Sequence, residues 1–107
     1  MAGERRGGPL ERVVRLSGWY RRSLERAEIA PGTPLAKRLA ATVRGVVAAT
    51  TLPQPHDFEV AIPPTRFAWA RRVTGANLWL YYEIRDERPP GEILLLSVVT
   101  SPPVPVD

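Results

Sequence analysis

Arg66-Phe67-Ala68-Trp69-Ala70-Arg71-Arg72-Val73 and Leu78-Trp79-Leu80-Tyr81-Tyr82-Glu83-Ile84-Arg85 are two apolar-rich runs joined by Thr74-Gly75-Ala76-Asn77. Alternating side chains on either side of a glycine-containing turn are the pattern of an antiparallel hairpin. In the first run Phe67, Trp69, Arg71 and Val73 fall on one side, with Ala68, Ala70 and Arg72 on the other. In the second, Leu78, Leu80, Tyr82 and Ile84 oppose Trp79, Tyr81, Glu83 and Arg85. A third run, residues 92–100, follows the charged loop 86–91. Its residues 93–99 are apolar on both faces except at Ser97, which places this strand inside the sheet rather than at an edge.

Working outward, Phe58, Val60 and Ile62 alternate with Glu59 and Ala61 and stop at Pro63-Pro64, a short edge strand. Leu52 to Asp57 holds Pro53 and Pro55 and has to be irregular. Before it, Thr33 and Pro34 supply a cap and a first-turn proline, and Leu35, Leu39, Val43, Val46 and Val47 share one face of a helix running to about Thr50. Gly45 weakens that helix by about 1 kcal/mol relative to alanine. A shorter helix is predicted from the Ser17 cap, with Tyr20, Leu24 and Ala27 on one face, ending before Pro31-Gly32. Val13, Val14 and Leu16 make a strand ahead of it. The expected fold is α+β, an antiparallel sheet of four or five strands packed on two helices in the order β-α-α-β-β-β(-β). Residues 1–9 read as a disordered lead-in, 10–101 as a single domain and 102–107 as a proline-rich tail that leaves the sheet.

A chain of 107 residues buries one core. Fifteen Lys plus Arg against eleven Asp plus Glu give a net charge of +4. With a pI near 10.3, polyanions or an acidic protein are the favoured partners. Lys37 is the only lysine. Arginine's planar fork suits phosphate and carboxylate, although arginine, alanine, glycine and proline are enriched together here, as GC-rich codons alone would produce. No cysteine is present, which excludes disulfides, thiolate metal sites and cysteine nucleophiles. His56 is the only histidine, on a loop between proline and aspartate, so no metal site is expected. No cofactor signature appears. No apolar stretch approaches the roughly 20 residues that span a bilayer, and the chain reads as soluble, cytoplasmic and without membrane contact.

The order of elements, together with three stretches of sequence, resembles the RelE/ParE toxin superfamily of bacterial toxin-antitoxin modules. Val14-Arg15-Leu16 followed by Tyr20-Arg21-Arg22-Ser23-Leu24 is similar to its first strand and basic helix. Arg71-Arg72-Val73 before Gly75 is similar to its basic strand and glycine turn. Tyr82-Glu83-Ile84-Arg85 and Glu92-Ile93-Leu94-Leu95-Leu96 are similar to its last two strands. The resemblance implies a toxin with a cognate antitoxin as partner and the ribosome with its mRNA, or DNA gyrase, as target. It also implies two cleavage residues that this chain lacks. Trp79 stands where members that cut mRNA commonly carry arginine, and Thr100-Ser101-Pro102-Pro103 where they tend to end in His, Arg or Tyr.

RNA cleavage of this type needs a base, an acid and a cation for the phosphorane charge. Arg66, Arg71, Arg72 and Arg85 offer the cation, and Tyr81 or Glu83 a proton shuttle. Trp79, Tyr81, Arg72 and Arg85 form an expected aromatic and arginine surface for unpaired bases or for an antitoxin helix. If the helices cover that face, the exposed one is the face of Arg71 and Tyr82. Arg21, Arg22, Arg26, Arg38 and Arg44 on the outer helix faces add a positive edge. The alternative reading is a small basic nucleic-acid-binding or assembly protein with a similar meander.

Overall fold

The computed structural model describes residues 12–63, 66–86 and 91–106; the expected lead-in 1–9 lies outside them. The elements are strand β1 (Val13–Leu16), helix α1 (Gly18–Arg26), helix α2 (Pro34–Ala48), and strands β2 (Phe58–Ile62), β3 (Arg66–Arg72), β4 (Trp79–Asp86) and β5 (Glu92–Val99). They form one five-stranded sheet in the order β1-β5-β4-β3-β2. The α+β class and the element order are those expected, with β5 interior and β2 at an edge.

Three of the four strand pairs are antiparallel. β1 pairs with β5 in parallel, Val13 opposite Glu92 and Leu16 opposite Leu95, so the sheet is mixed rather than purely antiparallel. A hairpin turn forces antiparallel pairing. β1 and β5 are joined by the whole intervening chain, so no turn dictates their direction. The tail also departs from expectation. Val106 N–H donates to the Glu59 carbonyl at 2.8 Å and Pro105 bridges Val60, so the chain end returns to the free edge of β2. Prolines lack a donor but are tolerated on a sheet edge, where Val106 keeps the N–H that makes the bond.

Ser17 caps α1 by accepting from Tyr20 N–H at 3.1 Å, while its own hydroxyl donates to the Leu96 carbonyl at 2.7 Å. Ser17 N–H also reaches the Leu95 carbonyl at 3.0 Å, and Val98 N–H donates to Ser23 Oγ at 2.9 Å. α1 therefore runs along β5 where β1 has ended and satisfies backbone groups that a sheet edge would leave open. Thr33 caps α2 through Ala36 N–H at 3.2 Å. At the other end of α2, Arg12 donates to the Ala49 carbonyl, a cation on helix-terminal carbonyls.

The main core joins Tyr20, Leu39 and Val46 of the helices to Val73, Leu78, Leu80, Tyr82, Ile93, Leu95 and Val98. The helices thus cover the sheet face of Arg71 and Tyr82. A second, smaller cluster on the other face holds Val60, Ala68, Ala70 and Leu96, with Phe58, Ile62, Tyr81 and Leu94 around it. The two faces stay consistent across a β-bulge: Tyr81 pairs with Ser97 but Tyr82 with Leu95, so one extra residue of β5 is absorbed.

The β3–β4 turn depends on Gly75. Its φ of +77° lies in the left-handed region, and a Cβ there would run into the Arg38 guanidinium, which donates to the Gly75 carbonyl at 2.8 Å. Gly75→Ala is expected to lower stability by about 1–2 kcal/mol. A chemical denaturation midpoint measured with unchanged slope checks this.

Candidate functional site

The sequence placed six residues in a candidate site, and the structure divides them. Arg72 faces Trp79 and Ala70 faces Tyr81 across β3 and β4, on the side away from α2. Arg66 and Arg85 lie on that same side by alternation. Arg71 does not: it pairs with Leu80 on the helix-covered side and is only 5% exposed.

Around Arg71 the helix side holds a polar network inside the core. Arg71 donates to Asp57 from Nε at 2.6 Å and from Nη2 at 2.8 Å, and Nη2 also reaches Gln54 Oε1 at 3.0 Å. The Tyr82 hydroxyl donates to Asp57 Oδ2 at 2.6 Å, and Gln54 N–H donates to the same oxygen at 2.9 Å. The Asp57 side chain has no solvent exposure. Burial on its own would raise its pKa. The hydrogen bonds from Arg71 and Tyr82 outweigh burial and hold the carboxyl below its usual range. Burial, reinforced by Asp57, pushes the Tyr82 hydroxyl far up, so it stays a donor. Arg71 and Asp57 are a closed, charge-balanced pair, which the exposed His56 ring approaches with Nε2 3.9 Å from Asp57 Oδ1.

On the opposite face, Arg66 forms a two-pronged ion pair with Glu83, Nη2 to Oε1 at 3.2 Å and Nε to Oε2 closer still. Arg85 approaches the same carboxylate at 3.5 Å. The Arg66 guanidinium also lies 5.7 Å over the ring of Trp19, which reaches it from α1. Trp79 is 9% exposed and covered by Arg72 at 5.8 Å, so its ring is not open for stacking. Arg72 itself is held by the Ala76 carbonyl at 3.0 Å and Asn77 at 3.2 Å. Tyr81 lines a groove of about 380 Å³ with Ser23, Arg26 and Pro103, and burial raises its hydroxyl pKa. A larger groove of about 640 Å³ at the sheet end includes Glu59, Glu83, Arg85 and Asp86, an acidic balance unsuited to phosphate.

The sequence does not single out Trp19, because the helical stripe runs through Tyr20, Leu24 and Ala27, one residue out of phase with it. Asp57 was passed over as well. The signal was there: an arginine alternating with Trp69 and Val73 on a core face requires a buried acid.

Val13, Val14, Leu16 and Trp19 are between 38% and 54% exposed and gather where β1 enters α1. Arg21, Arg22 and Glu25 stand beside Leu16 around a groove of about 380 Å³. Arg15 pairs with Glu92 at 3.1 Å on the same strand pair. Among the described residues no helix is long and apolar enough to cross a membrane. No family model, curated protein or solved structure matches the chain.

Proposed function

We propose that the protein is the toxin-like component of a toxin-antitoxin pair, a RelE/ParE-like domain that binds a cognate antitoxin and inhibits translation or DNA topology in the cytoplasm without cutting RNA. The observation that carries the reading is the apolar edge of Val13, Val14, Leu16 and Trp19 flanked by Arg21 and Arg22. Large exposed apolar side chains on an edge strand, with two arginines against one glutamate on the rim, suit an acidic amphipathic partner segment. The stretches that carry the resemblance fall on or beside β1, α1, β3, β4 and β5.

Cleavage finds less support. Glu83 is engaged by two arginines, and Tyr81 keeps its proton. Trp79 and Thr100 occupy the positions where the resemblance would place an arginine and a closing His, Arg or Tyr. A second reading, a basic nucleic-acid-binding protein, draws on one feature: half-exposed Trp19 with Arg66 above it is a stacking pair for an unpaired base.

Co-expression with the product of the adjacent reading frame separates the two readings. A small acidic protein that co-purifies in fixed stoichiometry is the expected result. No co-purifying neighbour, with retention of the protein on single-stranded RNA, would instead establish the second reading.

A further inference from the structure

Arg71 does not use its whole guanidinium on Asp57 and Gln54. Nε and Nη2 make all of its hydrogen bonds to these residues. Nη1 has no acceptor among the described residues, although the side chain is only 6% exposed. A guanidinium N–H pair that has no protein acceptor and opens onto a groove is available to a ligand's oxygen. Nη1 points at Gly45 in the middle of α2, where an added Cβ would stand 3.5 Å from it. Glycine is poorly suited to a helix interior. Here its missing side chain leaves Nη1 open to a groove of about 580 Å³ between α2 and the β3–β4 turn, lined also by Arg38, His56, Arg72 and Thr74.

The charge in this groove is one-sided. Among the described residues no carboxylate lines it, and Asp57 beneath is enclosed and already bonded to Arg71, Tyr82 and Gln54. Arg38 spends only Nη1, on the Gly75 carbonyl, and stands at the rim. We propose that this groove binds the phosphate group of a small phosphorylated ligand, with Arg71 Nη1 donating to one oxygen from the floor, Arg38 supplying donors and charge from the rim and His56 a further ring donor. A compact dianion meets two guanidinium groups better than a single carboxylate would. The volume lies in the range of small-ligand pockets and exceeds what one phosphate fills. The groove is on the helix side of the sheet, away from Trp19, Arg66 and Glu83, and does not depend on the toxin reading.

The test is an amide and arginine-side-chain NMR titration of the full chain with inorganic phosphate, and separately with a nucleoside monophosphate, against sodium chloride at matched ionic strength. Saturable shifts at Gly45, Thr74, Gly75 and the Arg71 Nε–H are expected with both phosphates and not with chloride. Tighter binding of the nucleotide assigns a base subsite as well, and equal affinities assign the phosphate alone. Gly45→Leu covers Nη1 with a good helix former and is expected to weaken binding at least about tenfold. Arg38→Ala, at an exposed position, is expected to weaken it severalfold and serves as the independent variant. Absence of saturable shifts up to about 20 mM phosphate, or undiminished binding in a folded Gly45→Leu or Arg38→Ala protein, would overturn the proposal.

Discussion

Asp57→Ala is expected to destabilise the fold by about 3–5 kcal/mol, the range for removing one member of a buried ion pair. Arg71 would be left charged and enclosed at 5% exposure, with Tyr82 and Gln54 also losing their acceptor. Tyr82→Phe removes one donor of several around the carboxylate and is expected to cost only about 1 kcal/mol. A chemical denaturation series comparing the two measures this ordering. Equal losses, or a small loss for Asp57→Ala, would mean that the network contributes little.

The same carboxylate sets an acid limit. Its folded-state pKa is depressed, with burial opposing and the bonds from Arg71 and Tyr82 prevailing. Its stabilisation is therefore complete above the unfolded pKa of about 4 and is lost as pH falls through the lower, folded value. Stability of the wild type is expected to decline below about pH 4, with that part of the decline missing in Asp57→Asn. Denaturation midpoints measured from about two pH units below to three above the ordinary carboxylate value of about 4 on both proteins check the sign.

The second large effect concerns the partner. Val14→Glu with Leu16→Glu puts two carboxylates on an exposed apolar edge and is expected to reduce capture of an acidic antitoxin by at least about tenfold, since like charges across an interface cost several kcal/mol. Both residues are exposed, at 38% and 54%, so the fold is expected to keep its stability within about 1 kcal/mol. Unchanged capture would move the partner surface elsewhere, with Phe67, 55% exposed on β3, the next apolar anchor.

How far these sites were legible follows from which interactions are local. The β3–β4 hairpin and α2 could be read directly, because alternation around Gly75 and the Thr33-Pro34 start are local signals. The parallel docking of β1 on β5 and the return of Val106 to Glu59 are long-range events without a turn to announce them. The choice of covered face also escaped the sequence. Both faces of β4 carry large side chains, and only the packing of Tyr20, Leu39 and Val46 on Leu80 and Tyr82 decides between them. That choice turned Arg71 from a candidate surface cation into a core residue. It left Arg66 and Arg85 sharing Glu83, and Trp79 under Arg72. A sequence lists charges, but whether each is free for a ligand depends on partners distant along the chain.

The central claim is tested most directly by expressing the chain from a tightly repressed promoter, alone and with its genomic neighbour, while following growth, bulk translation and plasmid supercoiling. Growth arrest that the neighbour relieves, with either translation or supercoiling affected first, is the predicted result. Normal growth in both cultures, with no loss of translation or supercoiling, would contradict it.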